Sequence, residues 1–173
     1  MFYAENCTDL LLQQNTNGSA FFYNLWTEYK VGFNDSRGNY WLGNDLLSQL
    51  TLTNRYKLRF DLQSRSNRNW YYAEYSTFIV HPESSNYRLE VYGYKGNIRW
   101  DILSHHNGWM FTTFDRDNDR DSTGNCAVRW GGGFWFENCG ECCVNCHKHY
   151  FRWSDLPGGG HLLQSSRMWL QCK

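Results

Sequence analysis

The sequence is short of the features that mark several common classes of protein. Only 2 of its 173 residues are proline, and 17 basic residues balance 17 acidic ones, so the formal net charge is zero. Disordered chains are usually rich in proline or in charge of one sign, and nucleic-acid-binding chains carry a basic patch, so neither class fits. No apolar run is long enough to cross a membrane, and Met1–Cys7 lacks the charged and apolar regions of a signal peptide.

Motifs of the commonest enzyme classes are also missing. The chain has no Gly-x-Ser-x-Gly elbow, no glycine-rich phosphate loop and no His-Glu-x-x-His zinc motif. No spacing among its carboxylates singles out a glycosidase pair. We therefore do not expect an enzyme.

Aromatic residues and cysteines are abundant instead. Aromatic side chains make up 18% of the chain and are well spread, which indicates one folded domain with an aromatic-rich core. Seven cysteines favour an oxidising compartment, and because the number is odd at least one thiol is free or paired between chains. Sequons at Asn6, Asn17 and Asn34 add weak support for secretion and glycosylation.

Residue periodicity predicts an α+β domain. Apolar residues at Phe22, Leu25, Trp26 and Tyr29 have helical spacing, and a second short helix is expected within Tyr40–Leu52. Strands are predicted at Tyr56–Leu62, Trp70–His81, Tyr87–Tyr94 and, returning to the sheet, His161–Gln171. From Gly96 onward the chain is rich in turns and has no strong helix signal.

Four aspartates occupy alternate positions of one stretch: Asp115, Asp117, Asp119 and Asp121. Oxygen ligands at this spacing suit a turning loop around Ca²⁺, which binds roughly 6–8 oxygens. The stretch is not an EF-hand, because the positions that need Gly and Glu hold other residues. The spacing alone leaves a second interpretation open, a solvated acidic turn whose charge is balanced by neighbouring arginines.

The segment after the aspartates helps to decide between a calcium-binding loop and a solvated acidic turn. Cys126 and Cys139 bracket three glycines and the run Phe134-Trp135-Phe136. An acidic loop followed by this pattern resembles the fibrinogen C-terminal domain family, which includes ficolins, tachylectins and the C-termini of tenascin and angiopoietin. Further motifs occur in the order seen in that family: Trp26-x-x-Tyr29-x-x-Gly32-Phe33, Tyr40-Trp41-Leu42-Gly43-Asn44, Tyr56-Lys57-Leu58-Arg59-Phe60-Asp61-Leu62 and His106-Asn107-Gly108.

The resemblance implies a central, mostly antiparallel sheet with short helices and a loop-rich, calcium-binding C-terminal part. Residues 1–14 would be the remnant of an N-terminal subdomain, and residues 15–173 the fibrinogen C-terminal-like domain. Within it we expect a sheet and helix part at about 15–95, a calcium and ligand-pocket part at about 96–160 and a return strand at about 161–173. With most of the subdomain missing, we expect Cys7 to lack its partner and Leu10–Gln13 to lie at an uncovered sheet edge.

The same resemblance implies a set of site residues. Ca²⁺ would be held by the side chains of Asp117 and Asp119 and by backbone carbonyls near Asp121 and Thr123. A disulfide would join Cys126 to Cys139. In the resembled lectins a cis peptide bond precedes the second cysteine, here Asn138–Cys139, and points an amide N–H into the ligand pocket.

In family members that recognise acetyl groups, this pocket is a small aromatic cage. The corresponding residues of this chain are Trp130, His149 and His161, with Gly140 at a position where the family often has histidine. Together with Asn138 and Cys139 they form the predicted ligand site. The alternative is that Trp130 and the two histidines only pack the loops.

A second cysteine pattern departs from the family. The run Cys139-x-x-Cys142-Cys143-x-x-Cys146-His147-x-His149 could hold tetrahedral Zn²⁺ through thiolates and imidazoles when considered alone. Zinc requires reduced thiols, which conflicts with a disulfide at Cys139. We therefore expect one more local disulfide among Cys142, Cys143, Cys146 and Cys172.

The predicted function is calcium-dependent recognition of acetylated glycans or related pattern ligands by a secreted lectin of the ficolin or tachylectin kind, acting in innate immunity. The alternative is an extracellular protein-binding or matrix module of the tenascin or angiopoietin type, without a sugar pocket. The partner is accordingly an acetylated carbohydrate or an extracellular protein, and no nucleic acid. A homo-oligomer is compatible with this function, because avidity compensates for weak single sites.

Overall fold

Alternation of apolar and polar residues builds one central antiparallel sheet. The computed structural model describes residues 7–173. The strands are β1 (Leu10–Asn15), β2 (Phe33–Asn34), β3 (Tyr40–Trp41), β4 (Tyr56–Ser64), β5 (Trp70–Val80), β6 (Leu89–Gly96), β7 (Cys142–Cys143), β8 (Arg152–Leu156) and β9 (Gly160–Cys172). Their order is β2-β3-β1-β9-β4-β5-β6, and β8 joins β9 and β7 beside this path.

The four strands predicted from alternation are confirmed as β4, β5, β6 and β9. In β4, Leu58, Phe60 and Leu62 are fully buried and alternate with partly exposed polar residues. This is the period-two pattern of a strand with one face on the core.

The two predicted helices are present as α1 (Trp26–Val31) and α2 (Asn44–Thr51). The first is shorter than predicted, because Phe22 belongs to a separate 3₁₀ turn and Leu25 precedes the helix as its N-cap. The helix α1 ends at Gly32, whose φ of 95° no side chain adopts without strain. A third helix, α3 (Cys126–Trp130), lies in the stretch where no helix was predicted. Short 3₁₀ turns occur at Ala20–Phe22, Glu83–Ser85 and Leu103–His106.

Aromatic rings join the sheet to the loop-rich half of the chain. Trp135, from the glycine-rich segment, lies 6.2 Å from Trp41 and 5.1 Å from Phe111, and Phe111 lies 5.0 Å from Tyr29, all between ring centroids. These four side chains are essentially inaccessible to solvent. The sheet, α1 and the loops that follow Gly96 therefore share one core.

The expectation of an uncovered edge at Leu10–Gln13 is wrong. The strand β1 lies inside the sheet, pairing with β3 on one side and with β9 on the other. Cys7 is not an orphan either, because it forms a disulfide with Cys172 at the end of β9. The strand β9, which covers β1, and Cys172, which pairs with Cys7, lie too far along the sequence for local residue spacing to reveal these contacts.

The remaining cysteines follow the expectation of a local bridge. Cys143 and Cys146 form a disulfide, and Cys142 is a free, buried thiol whose pKa is raised by desolvation. With two of the three sulfurs oxidised, the thiolate set that zinc would need is not available.

We predict that the Cys7–Cys172 bridge contributes much more stability than the Cys143–Cys146 bridge. The two bridges span sequence separations of 165 and 3 residues. In the chain-entropy account a long loop is worth about 5 kcal/mol and a very short one about 2 kcal/mol. Urea unfolding of the Cys7→Ser/Cys172→Ser and Cys143→Ser/Cys146→Ser double variants measures the difference; equal losses would contradict the prediction.

Candidate functional site

The four aspartates do not act as one set. The Asp115 carboxylate accepts hydrogen bonds from the Trp26 N–H at 2.9 Å and from the Thr113 hydroxyl at 2.7 Å. It thereby satisfies a free N–H in the first turn of α1. Asp115 therefore supports the fold through its Oδ1 atom.

Asp121 is also engaged within the chain. Its carboxylate accepts from the Thr123 N–H at 2.9 Å and from the Thr123 hydroxyl at 2.6 Å, and it forms an ion pair with Arg129 at 2.7 Å. These contacts lower the pKa of Asp121, the Thr123 hydrogen bonds contributing most. A metal role for Asp121 and Thr123 would thus fall to their backbone carbonyls, which is the role that the family resemblance implies for them.

Asp117 and Asp119 form the remaining pair. Burial is the main cause that raises the pKa of Asp119, and the neighbouring Asp117 raises it further. Two carboxylates that disfavour each other's charge fit a site for a divalent cation, which would relieve both the burial and the repulsion. The residues present therefore fit Ca²⁺, which the side chains of Asp117 and Asp119 would hold.

Asp119 connects this loop to the disulfide. Its carboxylate accepts a hydrogen bond from the Cys126 N–H at 2.8 Å, at the first residue of α3. Cys126 is bonded to Cys139, and both residues are buried. The Asp121 carboxylate and these two sulfurs lie within 4.8 Å of one another, but sulfurs joined in a disulfide are not thiolate ligands.

The expected cis bond at Asn138–Cys139 is wrong, because all described peptide bonds are trans. The chain reverses through two successive left-handed residues instead, Cys139 with φ 56° and Gly140 with φ 76°. The Gly140 N–H donates to the Asn138 carbonyl at 2.8 Å, which closes a γ-turn centred on Cys139. A γ-turn with a positive central φ is strained, so the disulfide and the packing around it must hold it.

Buried His106 sets the size of residue 140. A Cβ atom at Gly140 would lie 2.4 Å from the His106 Cε1 atom, so no side chain fits. His106 bonds through Nδ1 to the Trp135 carbonyl at 2.7 Å, while its buried Nε2 has no partner among the described residues. Desolvation lowers the pKa of His106 to about 4, so its imidazole is neutral at pH 7.

Trp130 ends α3 and packs among other aromatic rings. It stacks on Tyr150 at 5.2 Å with an interplanar angle of 12° and meets Phe136 edge-on at 5.8 Å. No ring contact joins it to His149 or His161 in the part of the chain described. Tyr150 was missed as a site residue, because nothing in the spacing links it to α3.

The two histidines predicted for the cage lie on other segments. His149 is exposed in the turn before β8, and His161 is exposed near the start of β9. His161 borders a cavity that also contains Trp100 and Asp155. These two residues were missed as well, although an aromatic residue in a turn-rich stretch is a usable signal.

A small cavity lies beside the last turn of α3. It has a volume of about 300 Å³ and is lined by Ala20, Tyr23, Val128, Gly131 and His147. Gly131 adopts φ 71° and faces His147 so closely that a Cβ would overlap the imidazole. The cavity is mainly apolar, with one imidazole as a polar group, and so suits a small group with an apolar end.

We predict that Asp117 and Asp115 respond differently to substitution. Asp117→Asn removes a proposed calcium ligand, so the rise in melting temperature on adding CaCl₂ should be lost; Asp115→Asn keeps the acceptor for Trp26 and should leave it intact. The rise should also fade on acidification, because protons compete for Asp119, whose pKa is raised. Calorimetric scans with CaCl₂ and with EDTA measure the rise in melting temperature. An equal rise in the two variants would contradict the assignment of Asp117 as a calcium ligand.

We also predict that His106 makes the fold sensitive to acid. The pKa is 6.5 in the unfolded chain and about 4 in the folded one, so its contribution is complete above pH 6.5 and lost as the pH falls toward 4. The loss amounts to about 3 kcal/mol at most. Urea unfolding at pH 7.5 and pH 5 should show a smaller difference for His106→Gln than for His105→Gln, whose side chain is exposed.

No helix among residues 7–173 combines the length and the apolar character needed to span a membrane.

Comparison with known proteins supports the resemblance seen in the sequence. The profile described as "Fibrinogen beta and gamma chains, C-terminal globular domain" matches residues 3–166. Angiopoietin-related protein 1 of Mus musculus is 36% identical over 98% of this chain, and Ficolin-3 of Homo sapiens is 34% identical over 94% of it. The chain spans 37% and 56% of the lengths of these two relatives.

The structure agrees with a solved relative. The fibrinogen-like globe domain of human ANGPTL6 superposes with a TM-score of 0.85 and 32% sequence identity. The match covers 99% of this chain and 81% of that domain. The chain belongs to the fibrinogen C-terminal globular domain family.

Proposed function

We propose that this chain is the recognition domain of an extracellular protein and that it binds an acetylated glycan in a calcium-dependent manner. Relatives include a ficolin, tenascins and angiopoietin-related proteins, which are extracellular binding proteins and not enzymes. Three disulfides are consistent with an oxidising compartment.

The observation that carries the proposal is the continuous connection from the acidic loop to the turn at Cys139. Asp119, a proposed calcium ligand, holds Cys126 by a hydrogen bond, and Cys126 holds Cys139 by a disulfide. Calcium would therefore act structurally, by fixing Asp119, and would not need to touch the ligand. When bound, the ion supplies charge compensation to the two carboxylates.

The turn offers a donor to an acetyl oxygen. The Gly140 N–H is used within the turn, whereas the Cys139 N–H donates to no acceptor among the described residues. An acetyl carbonyl needs one such donor, and its methyl group needs an apolar wall. For this wall we assign Trp130, which is 6% exposed, and the cavity beside the next residue, Gly131. The proposed ligand set also retains Asn138, Gly140, His149 and His161.

One observation favours the second candidate, a protein-binding module. No ring contact joins His149 or His161 to Trp130 among the described residues, and the ring stacked on Trp130 is that of Tyr150, so the cage is less complete than the family resemblance implied. Tyr23 and Val128, at the rim of the cavity, are 41% and 52% exposed. Exposed apolar side chains of this kind are typical of surfaces that meet another protein.

We predict retention of the protein on immobilised N-acetylglucosamine, with elution by free acetate or EDTA. Trp130→Ala should weaken retention about tenfold or more, because the ring supplies the apolar wall. The matched control is Trp70→Ala, since Trp70 is 44% exposed on the sheet, far along the chain from the turn. No retention of a folded, calcium-loaded protein would reject the lectin and favour the protein-binding module.

A further inference from the structure

A groove runs along the side of the molecule where the turn before His106 faces the hairpin of β8 and β9. It consists of two adjoining cavities, of about 490 and 320 Å³, which share Trp100 and Asp155. We call it the Trp100 groove and define it by Arg99, Trp100, Asp101, His105, Glu141 and Asp155. Neither cavity is lined by Trp130, Cys139 or Gly140, so the groove is separate from Trp130 and from the turn at Cys139. It meets the proposed acetyl-ligand set only at His161, which borders the smaller cavity.

Trp100 gives the groove an aromatic surface. Its side chain is 52% exposed, which leaves much of a large apolar ring in contact with water. The Arg99 guanidinium lies over this ring at 4.7 Å from its centroid. The ring therefore already attracts a cation within the chain, and a ligand's cation would experience the same attraction.

Asp155 contributes to the groove a carboxylate that is not paired within the described residues. The residue is exposed, and its carboxylate takes part in no hydrogen bond or ion pair within residues 7–173. Its φ of 58° is left-handed, and it lies where the pairing of β8 with β9 shifts register. Aspartate tolerates this conformation better than most residues, but the position still places an unpaired carboxylate at the junction of the two cavities.

Two further carboxylates retain free oxygens. Asp101 accepts from the Tyr75 hydroxyl and the Ser104 N–H through Oδ1, which leaves Oδ2 without a partner. Glu141 accepts from the Ser154 hydroxyl through Oε2, which leaves Oε1. Three carboxylates against the one guanidinium of Arg99 make the groove negative at neutral pH.

We propose that the Trp100 groove binds a basic peptide segment of a protein partner, with a Lys or Arg side chain on Trp100 and its charge paired with Asp155. The shape supports a peptide, because two joined cavities accommodate neighbouring side chains of an extended segment. Charge complementarity supports a basic one, since an acidic or neutral segment would leave the carboxylates unpaired. This site does not depend on acetyl recognition, so either can fail while the other holds.

The test uses fluorescein-labelled Gly-Lys-Gly-Arg-Gly-Lys-Gly amide and a matched peptide with Gln at the three basic positions. Fluorescence anisotropy with the whole chain should show binding of the basic peptide only. Raising NaCl from about 0.05 M to about 0.5 M should weaken it. Trp100→Ala and Asp155→Asn should each weaken it about tenfold, and Asn is chosen because it tolerates a left-handed φ.

The matched control is Trp70→Ala. Trp70 is 44% exposed and also carries a guanidinium, that of Arg167 at 5.3 Å, but lies outside the groove. The Trp70→Ala substitution should leave binding of the basic peptide unchanged. Equal binding of the Gln peptide, or equal weakening by Trp70→Ala and Trp100→Ala in variants with native near-ultraviolet circular dichroism, would overturn the proposal.

Discussion

The pairing of β9 on both of its edges is the constraint on which the rest of the structure depends. Leu170 pairs with Leu10 of β1 on one side and with Leu58 of β4 on the other. Leu163, Met168 and Leu170 of this strand are fully buried. Because β8 also pairs with β9, the loop-rich half of the chain is anchored to the sheet by the same strand.

Buried hydrogen bonds connect α1 to the segment between Cys126 and Cys139. The Tyr29 hydroxyl donates to the Phe22 carbonyl at 2.7 Å and accepts from the Gly133 N–H at 2.9 Å. Burial raises the pKa of Tyr29 above its usual range, so the hydroxyl stays a donor. The glycine run between the two cysteines is thus fixed by α1, and the acidic loop by the contact of Asp115 with Trp26.

Local patterns were sufficient for much of the fold. The spacing of Trp26 and Tyr29 predicted α1, although the helix excludes Phe22 and Leu25, and the alternation in β4 predicted a strand with one buried face. Both signals are local, because each depends on how neighbouring side chains share one face. Family motifs supplied the cysteine pair and the acidic loop, which local patterns alone left open.

Contacts between distant residues could not be predicted in this way. The central place of β1 depends on strands far along the chain, and a six-residue segment does not reveal its partners. The helix α3 has five residues, too few for a periodic pattern, and only the hydrogen bond from the Val128 N–H to Asn125 and the Gly131 cap mark its ends. The division of roles among four aspartates likewise depends on Trp26 and Arg129, which no spacing within the loop discloses.

The position of β9 has a consequence for biosynthesis. Every other strand of the sheet leaves the ribosome before it, yet β1 and β4 are separated in space until β9 is inserted between them. An emerging chain therefore exposes one unpaired edge of β1 and one of β4 until β9 has been made and has paired with both. Pairing between segments this far apart is slow, so the two edges stay open to wrong partners for longer than the edges of a local hairpin would.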